Sequence, residues 1–262
     1  MLRSLWSGAS GMIAQQTHLD VISNDLANVN TSGFKKLRAD FQDLIYQINR
    51  EPGAPVEPDS MVPDGIQVGL GVKVVGTTRM FMQGSLQTTD NPTDVAITGE
   101  GFFQVTMPDG TIAYTRDSNW KIDANGQIVT HDGYLMDPGA VIPEGATDFT
   151  VSPTGAMTVR VAGDMEPEEI GQIELARFIN PAGLRSMGRN LFIETAASGA
   201  PIVGNPGDEG FGMLEQRALE MSNVQVVEEM VEMIVAQRAY EANSKTITTA
   251  DEFLRIANNL RR

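Results

Sequence analysis

Apolar residues recur at helical spacing near both ends of the chain and at strand spacing in between. Steps of three and four from position 5 reach Leu5, Gly8, Met12, Gln15, Leu19, Ile22, Leu26 and Val29. Six of these eight are apolar, which is the seam of an amphipathic helix over residues 4–29. Asn30-Thr31-Ser32-Gly33 follows, and Gly33 suits the left-handed conformation that closes a helix. Near the other end, Ser222 and Gln225 have capping-box spacing. Beyond them runs a helical line through Val227, Met230, Ile234, Gln237, Tyr240, Ser244, Ile247, Ala250, Leu254 and Ala257. No Pro or Gly interrupts residues 213–262. Forty residues of helix would span on the order of 60 Å, a length that points to a bundle or coiled coil.

Residues 46–70 differ: Pro52, Gly53, Pro55, Pro58, Pro63, Gly65 and Gly69 make an extended, irregular stretch the expectation. From residue 72 to 215 short apolar runs predict strands at 72–75, 95–97, 102–107, 111–114, 120–122, 128–130, 149–151, 158–161, 170–178 and 191–194. Asp109-Gly110, Asn125-Gly126, Asp132-Gly133 and Thr154-Gly155 lie between such runs and signal hairpins. The pattern therefore predicts an α+β fold, with long terminal helices pairing as in a coiled coil and an all-β middle domain. The expected division is a discontinuous helical domain (1–35 and 218–262), a Pro/Gly-rich connection (36–71) and a β domain (72–217).

Charge sharpens this division. The chain of 262 residues carries a formal −15, yet residues 1–36 sum to +1 and residues 218–262 to −2, which leaves −14 in the middle. Nearly neutral ends pack against copies of themselves with little repulsion, and an acidic middle favours solubility. Nucleic acid is not an expected partner, because neutralising phosphate needs clustered Lys and Arg. The chain has no Cys, so neither a disulfide framework nor a thiolate metal site is expected. The first residues do not read as a signal peptide: Arg3 is the one early basic residue, and Ser7, Gly8, Ser10 and Gly11 break the apolar stretch.

Catalytic or cofactor chemistry is hard to find. His18 and His131 are the two histidines, and neither has a ligand partner at metal-binding spacing. Gly69-Leu70-Gly71 and Gly99-Glu100-Gly101 are not followed by the Lys-Ser/Thr pair of a phosphate loop. Asp123-Ala124-Asn125-Gly126 fails as a calcium loop, since Lys121 would take the first ligand position. Among 34 carboxylates some pair could serve glycoside hydrolysis, but nothing selects one, and 6% aromatics leave few sugar-stacking platforms. A secreted carbohydrate-active enzyme is the alternative from another class; the expectation is a chain that is not an enzyme and holds no cofactor or metal.

The run from Ile22 through Asn24, Leu26-Ala27-Asn28-Val29 and Gly33-Phe34-Lys35 resembles the N-terminal signature of flagellar rod and hook proteins. Asp94-Val95-Ala96-Ile97 with Gly101-Phe102-Phe103-Gln104-Val105, and Tyr114-Thr115-Arg116-Asp117 with Trp120, resemble that family's core strands. Ser222-Asn223-Val224, Glu228-Glu229-Met230-Val231 and Ala236-Gln237-Arg238-Ala239-Tyr240-Glu241 resemble its C-terminal hallmark. Ser118 and Trp120 depart from the Gly and Phe that relatives often carry. The length fits the distal rod branch, whereas hook subunits usually add an outer domain; a proximal rod or short hook paralogue is the alternative within the family.

The resemblance implies a helical homopolymer that transmits torque. Its innermost layer, around an export channel, would be the paired terminal helices, with the β domain outside. Implied partners are further copies of the chain, proximal rod proteins, the hook protein, P-ring and L-ring proteins and the flagellar type III export apparatus. The implied location is the basal body, from periplasm to outer membrane, reached without a cleaved signal peptide. The expected assembly interface is Leu5, Met12, Leu19, Ile22, Leu26 and Val29, with Ala27 and Asn28 of the signature. On the C-terminal helix it is Val227, Met230, Ile234, Tyr240, Ile247 and Leu254.

Overall fold

A computed structural model describes residues 2–53, 55–57, 60, 61, 63–161 and 167–259. Pro58 of the Pro/Gly-rich stretch and the extreme ends of the expected helical domain, 1 and 260–262, lie outside the described residues. The fold is α+β, with one helix towards each end of the chain and strands between them. The chain divides into two compact units. The helical unit comprises Met1–Ala27, Leu37–Thr78 and Gln225–Arg262; the β unit comprises Asn28–Lys36 and Arg79–Val224.

In the helical unit, α1 (Leu2–Ala27) packs against α2 (Val226–Asn259). At 34 residues, α2 is about 50 Å long. Its cap is Gln225, whose carbonyl accepts the Glu229 amide at 3.0 Å. Ser222, the expected cap, instead accepts a bond from the Val224 amide through its hydroxyl, one turn too early. α2 therefore opens at Val226, a few residues past the expected cap, and residues 213–220 before it alternate buried and exposed positions, the period of two that makes strands, here Met213–Gln216 and Ala218–Glu220. No helix among the described residues is long and apolar enough to cross a membrane.

The expected connection, 36–71, is extended but mostly paired. Leu37–Asp43 pairs with Val72–Arg79, Tyr46–Arg50 with Ile66–Gly69, and Pro55–Glu57 with Ser60–Met61. Pro55 is tolerated because it opens its strand. All five residues of Tyr46–Arg50 are exposed, so backbone bonds rather than a core hold this arm.

The β unit is built on Phe102–Thr106, which pairs with Ile112–Thr115, Leu135–Met136 and Leu175–Arg177 in a nine-stranded sheet. Successive strand residues point to opposite faces, and Phe102-Phe103 uses this to serve two cores. Phe103 joins Ile97, Val105, Trp120, Met157 and Leu175; Phe102 joins Tyr114, Ala176, Phe178 and Phe192. Ala146–Val151, Ala156–Val161 and Glu168–Gln172 form a three-stranded sheet whose Phe149, Met157 and Val159 close the first core. The single strand expected at 170–178 is two, Glu168–Gln172 and Leu175–Arg177, in different sheets. The glycines of the four expected turns, at 110, 126, 133 and 155, all have positive φ.

Trp120 is 1% exposed and stands edge-on to Phe103 at 5.2 Å. Its indole N–H has no hydrogen-bond partner among the described residues, a desolvation cost that Phe would not carry. Trp120→Phe should therefore change the unfolding free energy by only about 1 kcal/mol, whereas Trp120→Ala should cost about 3–5 kcal/mol. Urea unfolding followed by circular dichroism compares the two.

Candidate assembly surface

The helical pair is held by small residues. Gly8 and Ala14 of α1 and Ala236 and Ala250 of α2 are buried. A Cβ on Gly8 would stand 3.1 Å from Ile247, and one on Gly11 would stand 2.8 Å from the Asn243 side chain. Glycine is needed at both positions for this approach, which outweighs its low helix propensity. Ile22 is buried, and Leu5, Met12, Leu19, Leu26, Ile247 and Leu254 are half-buried. Ala27 is exposed, and Asn28 and Val29, half-buried, belong to the β unit.

The other predicted residues of α2 do not lie on this seam. Val227 is 74% exposed, and Met230, Ile234 and Tyr240 are exposed as well. The line drawn through them advanced by too few residues per step, so it wound around the helix. Val227 and Leu254, 27 residues apart, are separated by about seven and a half turns and so point in opposite directions. The inward line instead runs through Glu229, Met233, Ala236, Asn243, Ile247 and Ala250, all buried or half-buried. What remains outside is a second stripe, Val227, Met230, Val231, Ile234 and Val235, at spacings of three, four, seven and eight, every member exposed. On α1, Trp6 and Ile13 are likewise exposed and seven residues apart. Each helix thus has two apolar faces: a tight one occupied within the chain and a bulky one left open.

The signature that follows α1 is anchored in the β unit by a charge cluster. Gly33, at φ 67°, donates its amide to the Glu220 carbonyl at 2.8 Å. Lys35, fully buried, donates through Nζ to Glu220 Oε1 at 2.6 Å and to the Met82 carbonyl at 2.8 Å. Arg116 donates through Nε to Glu220 Oε2 at 3.0 Å and through Nη1 to the carbonyls of Gly99 and Gly101. The Gly84 amide also donates to Glu220 Oε1. Arg79 donates to the Lys35 carbonyl and lies over the rings of Phe34 and Phe192. Burial lowers the Lys35 pKa, against the pull of Glu220. Burial alone would raise that of Glu220, but the charges of Arg116 and Lys35 outweigh it and hold the carboxyl below its usual 4.5. Lys35 and Arg116 lie in recognisable motifs without an evident role; for Glu220 the one signal is a charge inside the apolar run Ala218-Leu219-Glu220-Met221.

A model described as flagella basal body rod protein matches residues 5–35, which carry α1 and the signature. The flagellar hook protein FlgE/F/G D1 domain matches 96–159 in the β unit, and the flagellar basal body rod FlgEFG protein C-terminal model matches 215–260. The chain is 54% identical to the flagellar basal-body rod protein FlgG of Borreliella burgdorferi over 264 residues, covering all of both chains. This chain belongs to the family of flagellar basal-body rod proteins. A second rod protein, FlgG of Caulobacter vibrioides, is 49% identical across 99% of this chain and all of its own length. The flagellar hook protein FlgE of Helicobacter mustelae shares 50% identity, but over 52% of this rod protein and 30% of its own length. Relatives matched end to end are thus rod proteins, and the hook and enzyme alternatives are not favoured.

Two outcomes test this geometry. Gly11→Leu should force the helices apart at a cost of about 1–3 kcal/mol, read as faster amide exchange in α1 and α2 with the β unit still protected. Glu220→Gln should leave two buried cations around a neutral group and cost roughly 3–5 kcal/mol. Because the folded Glu220 titrates below its unfolded value, the unfolded chain takes up the proton first, and stability falls as pH drops from about 4.5 through the folded pKa. The lowered Lys35 works in the same sense, stability rising with pH up to its ordinary 10.5. Urea titrations from pH 7 to 3 should show a shallower acid loss in Glu220→Gln than in the parent.

Proposed function

We propose that this rod protein is a structural subunit of the distal rod that polymerises head to tail into a helical tube around the export channel. The observation that carries this reading is the open stripe on α2, Val227, Met230, Val231, Ile234 and Val235. In a lone chain it faces water; against the helices of neighbouring copies it would be buried, each side chain stabilising by roughly 1.5–3 kcal/mol. Heterologous contacts that do not close into a ring generate such a filament.

In this reading α1 and α2 form the layer that lines the channel, and the β unit, which carries most of the negative charge, keeps free subunits soluble. The function is mechanical, transmission of torque through a stiff tube, with no catalytic step. The partners are other copies, proximal rod proteins below, the hook protein above, the P and L rings around, and the export apparatus that delivers the chain. The protein would lie in the basal body between periplasm and outer membrane. Residues 51–66 would act as a wedge between neighbouring copies, consistent with an exposed paired arm at Tyr46–Arg50 and Ile66–Gly69.

Ile234→Asp tests the stripe without touching the intrachain seam. The variant should keep the parent's circular dichroism and urea midpoint as a monomer, yet fail to complete rods and abolish swimming in cells whose own copy is deleted. Normal motility would remove the stripe from the interface.

A further inference from the structure

The β unit carries an apolar pocket of about 500 Å³. Phe81, Phe102 and Phe178 wall it, Ile179 stands at its rim, and Arg116 and Arg177 reach it. The rings pack edge to face, Phe81 on Phe102 at 5.2 Å and Phe102 on Phe178 at 5.8 Å. The pocket therefore opens on the side of the second core, where neighbouring rings hold the walls in place. Ile179, by contrast, is 83% exposed. Arg116, one of its lining residues, is paired with Glu220 and bonded to the carbonyls of Gly99 and Gly101, which also line the pocket. Arg177, bonded to the Gly210 carbonyl at 3.2 Å, adds a positive charge, and Glu100 on the wall offsets one. A net positive pocket in a chain of −15 is matched to an acidic, apolar guest.

The helical unit offers one. Leu44 and Ile45 join the strands Leu37–Asp43 and Tyr46–Arg50. The Leu44 amide is pinned to the Gly71 carbonyl at 2.8 Å, and Ile45 is left 81% exposed. Among the described large hydrophobic residues only Ile179 is more exposed. Val227 and Trp6, next in exposure, belong to the helical stripes; Ile45 belongs to neither, and Asp43, two residues before it, bonds the Tyr46 side chain. Phe41, Tyr46 and Ile48 near it are exposed too but less so, and a protruding apolar anchor with a charge nearby is the usual guest of a ring-lined pocket with a polar rim.

We propose that Ile45 of one copy, with Asp43 beside it, seats in the aromatic pocket of the next copy against Phe178 and Ile179, Asp43 facing Arg177. Knob and pocket are different patches of the same chain, so each copy gives one contact and receives one, and the contact propagates rather than closing a pair. The inference rests on the rod-subunit reading and specifies a second intersubunit contact beside the helical stripe.

The chain contains no Cys, so introduced thiols report without background. The doubly substituted chain, Ile45→Cys with Ile179→Cys, should on oxidation of assembled polymer give a ladder of covalent multimers that collapses on reduction. A mixture of the two single variants should give covalent dimers and no longer species. Polymer that forms normally but does not cross-link, or in which the thiol at position 179 stays open to a maleimide, would overturn the pocket contact and leave the rod reading standing. A parent chain that does not polymerise would overturn the rod reading itself. Should the doubly substituted chain fail to polymerise where the parent succeeds, Ile45→Asp and Ile45→Leu decide. A rise of at least tenfold in critical concentration for the first, with a near-parental value for the second, supports the contact; parental values for both overturn it.

Discussion

One buried carboxylate ties the far ends of the β unit together. Glu220 binds Lys35, 185 residues away, and Arg116, 104 residues away. Bringing three charges out of water is costly, and well-packed apolar side chains of equal volume would often be as stable. The ionic version constrains geometry more tightly. Glu220 already accepts from Lys35, Arg116 and the Gly84 amide, while its own amide donates to Ser118 and its carbonyl accepts from Gly33. A shift of any partner strands a charge. The cluster therefore fixes where the chain leaves α1, at Gly33 to Lys35, and where it runs before α2, at Ala218–Glu220.

The helices solve a different problem, that of using two faces of one cylinder. Gly8, Gly11, Ala14, Ala236 and Ala250 let α1 and α2 approach closely, with Ile22 buried and Leu19, Met233 and Ile247 half-buried beside them. Val227, Met230, Val231, Ile234 and Val235 are held on the other side of α2, exposed. The observed distribution leaves apolar area on an exposed face of α2, the surface that the proposed assembly would cover.

Much of this was legible in the residues. The 3.6-residue period of α1, the Asp-Gly and Asn-Gly turns and the family signature placed one helix, the hairpins and the β middle. The start of α2 lies a few residues past the expected Ser222 cap, because the Ser222 hydroxyl is taken by the Val224 amide and Gln225 accepts the first helical bond. Pairing across the arm at Tyr46–Arg50 was invisible, since its side chains are exposed and alternate nothing. The split of α2 into an inner and an outer face could not be read from apolarity alone: Val227 and Ile234 are more apolar than Ala236 and Asn243, yet the smaller pair is inside. Closeness of approach selects for size, and hydropathy does not record it. Glu220 escaped because a lone charge in a short apolar run gains meaning only when Lys35 and Arg116 arrive from elsewhere in the chain.

The energetics of the open stripe set the character of assembly. Five side chains at roughly 1.5–3 kcal/mol each give a gross gain on the order of 10 kcal/mol. Immobilising a free subunit costs an estimated 4–15 kcal/mol, so one pairwise contact through the stripe is close to break-even. A subunit added to a helical lattice meets several neighbours at once and incurs that cost a single time, so elongation is favourable where dimerisation is not. The acidic β unit pushes in the same direction. Its repulsion acts only within about 8–10 Å at moderate salt, so it opposes close approach of two β units and does little to contacts made further away through the helices. In the proposed rod reading, a chain with a weak pairwise contact, several such contacts per lattice site and like charge elsewhere would stay monomeric until a growing end supplies the neighbours.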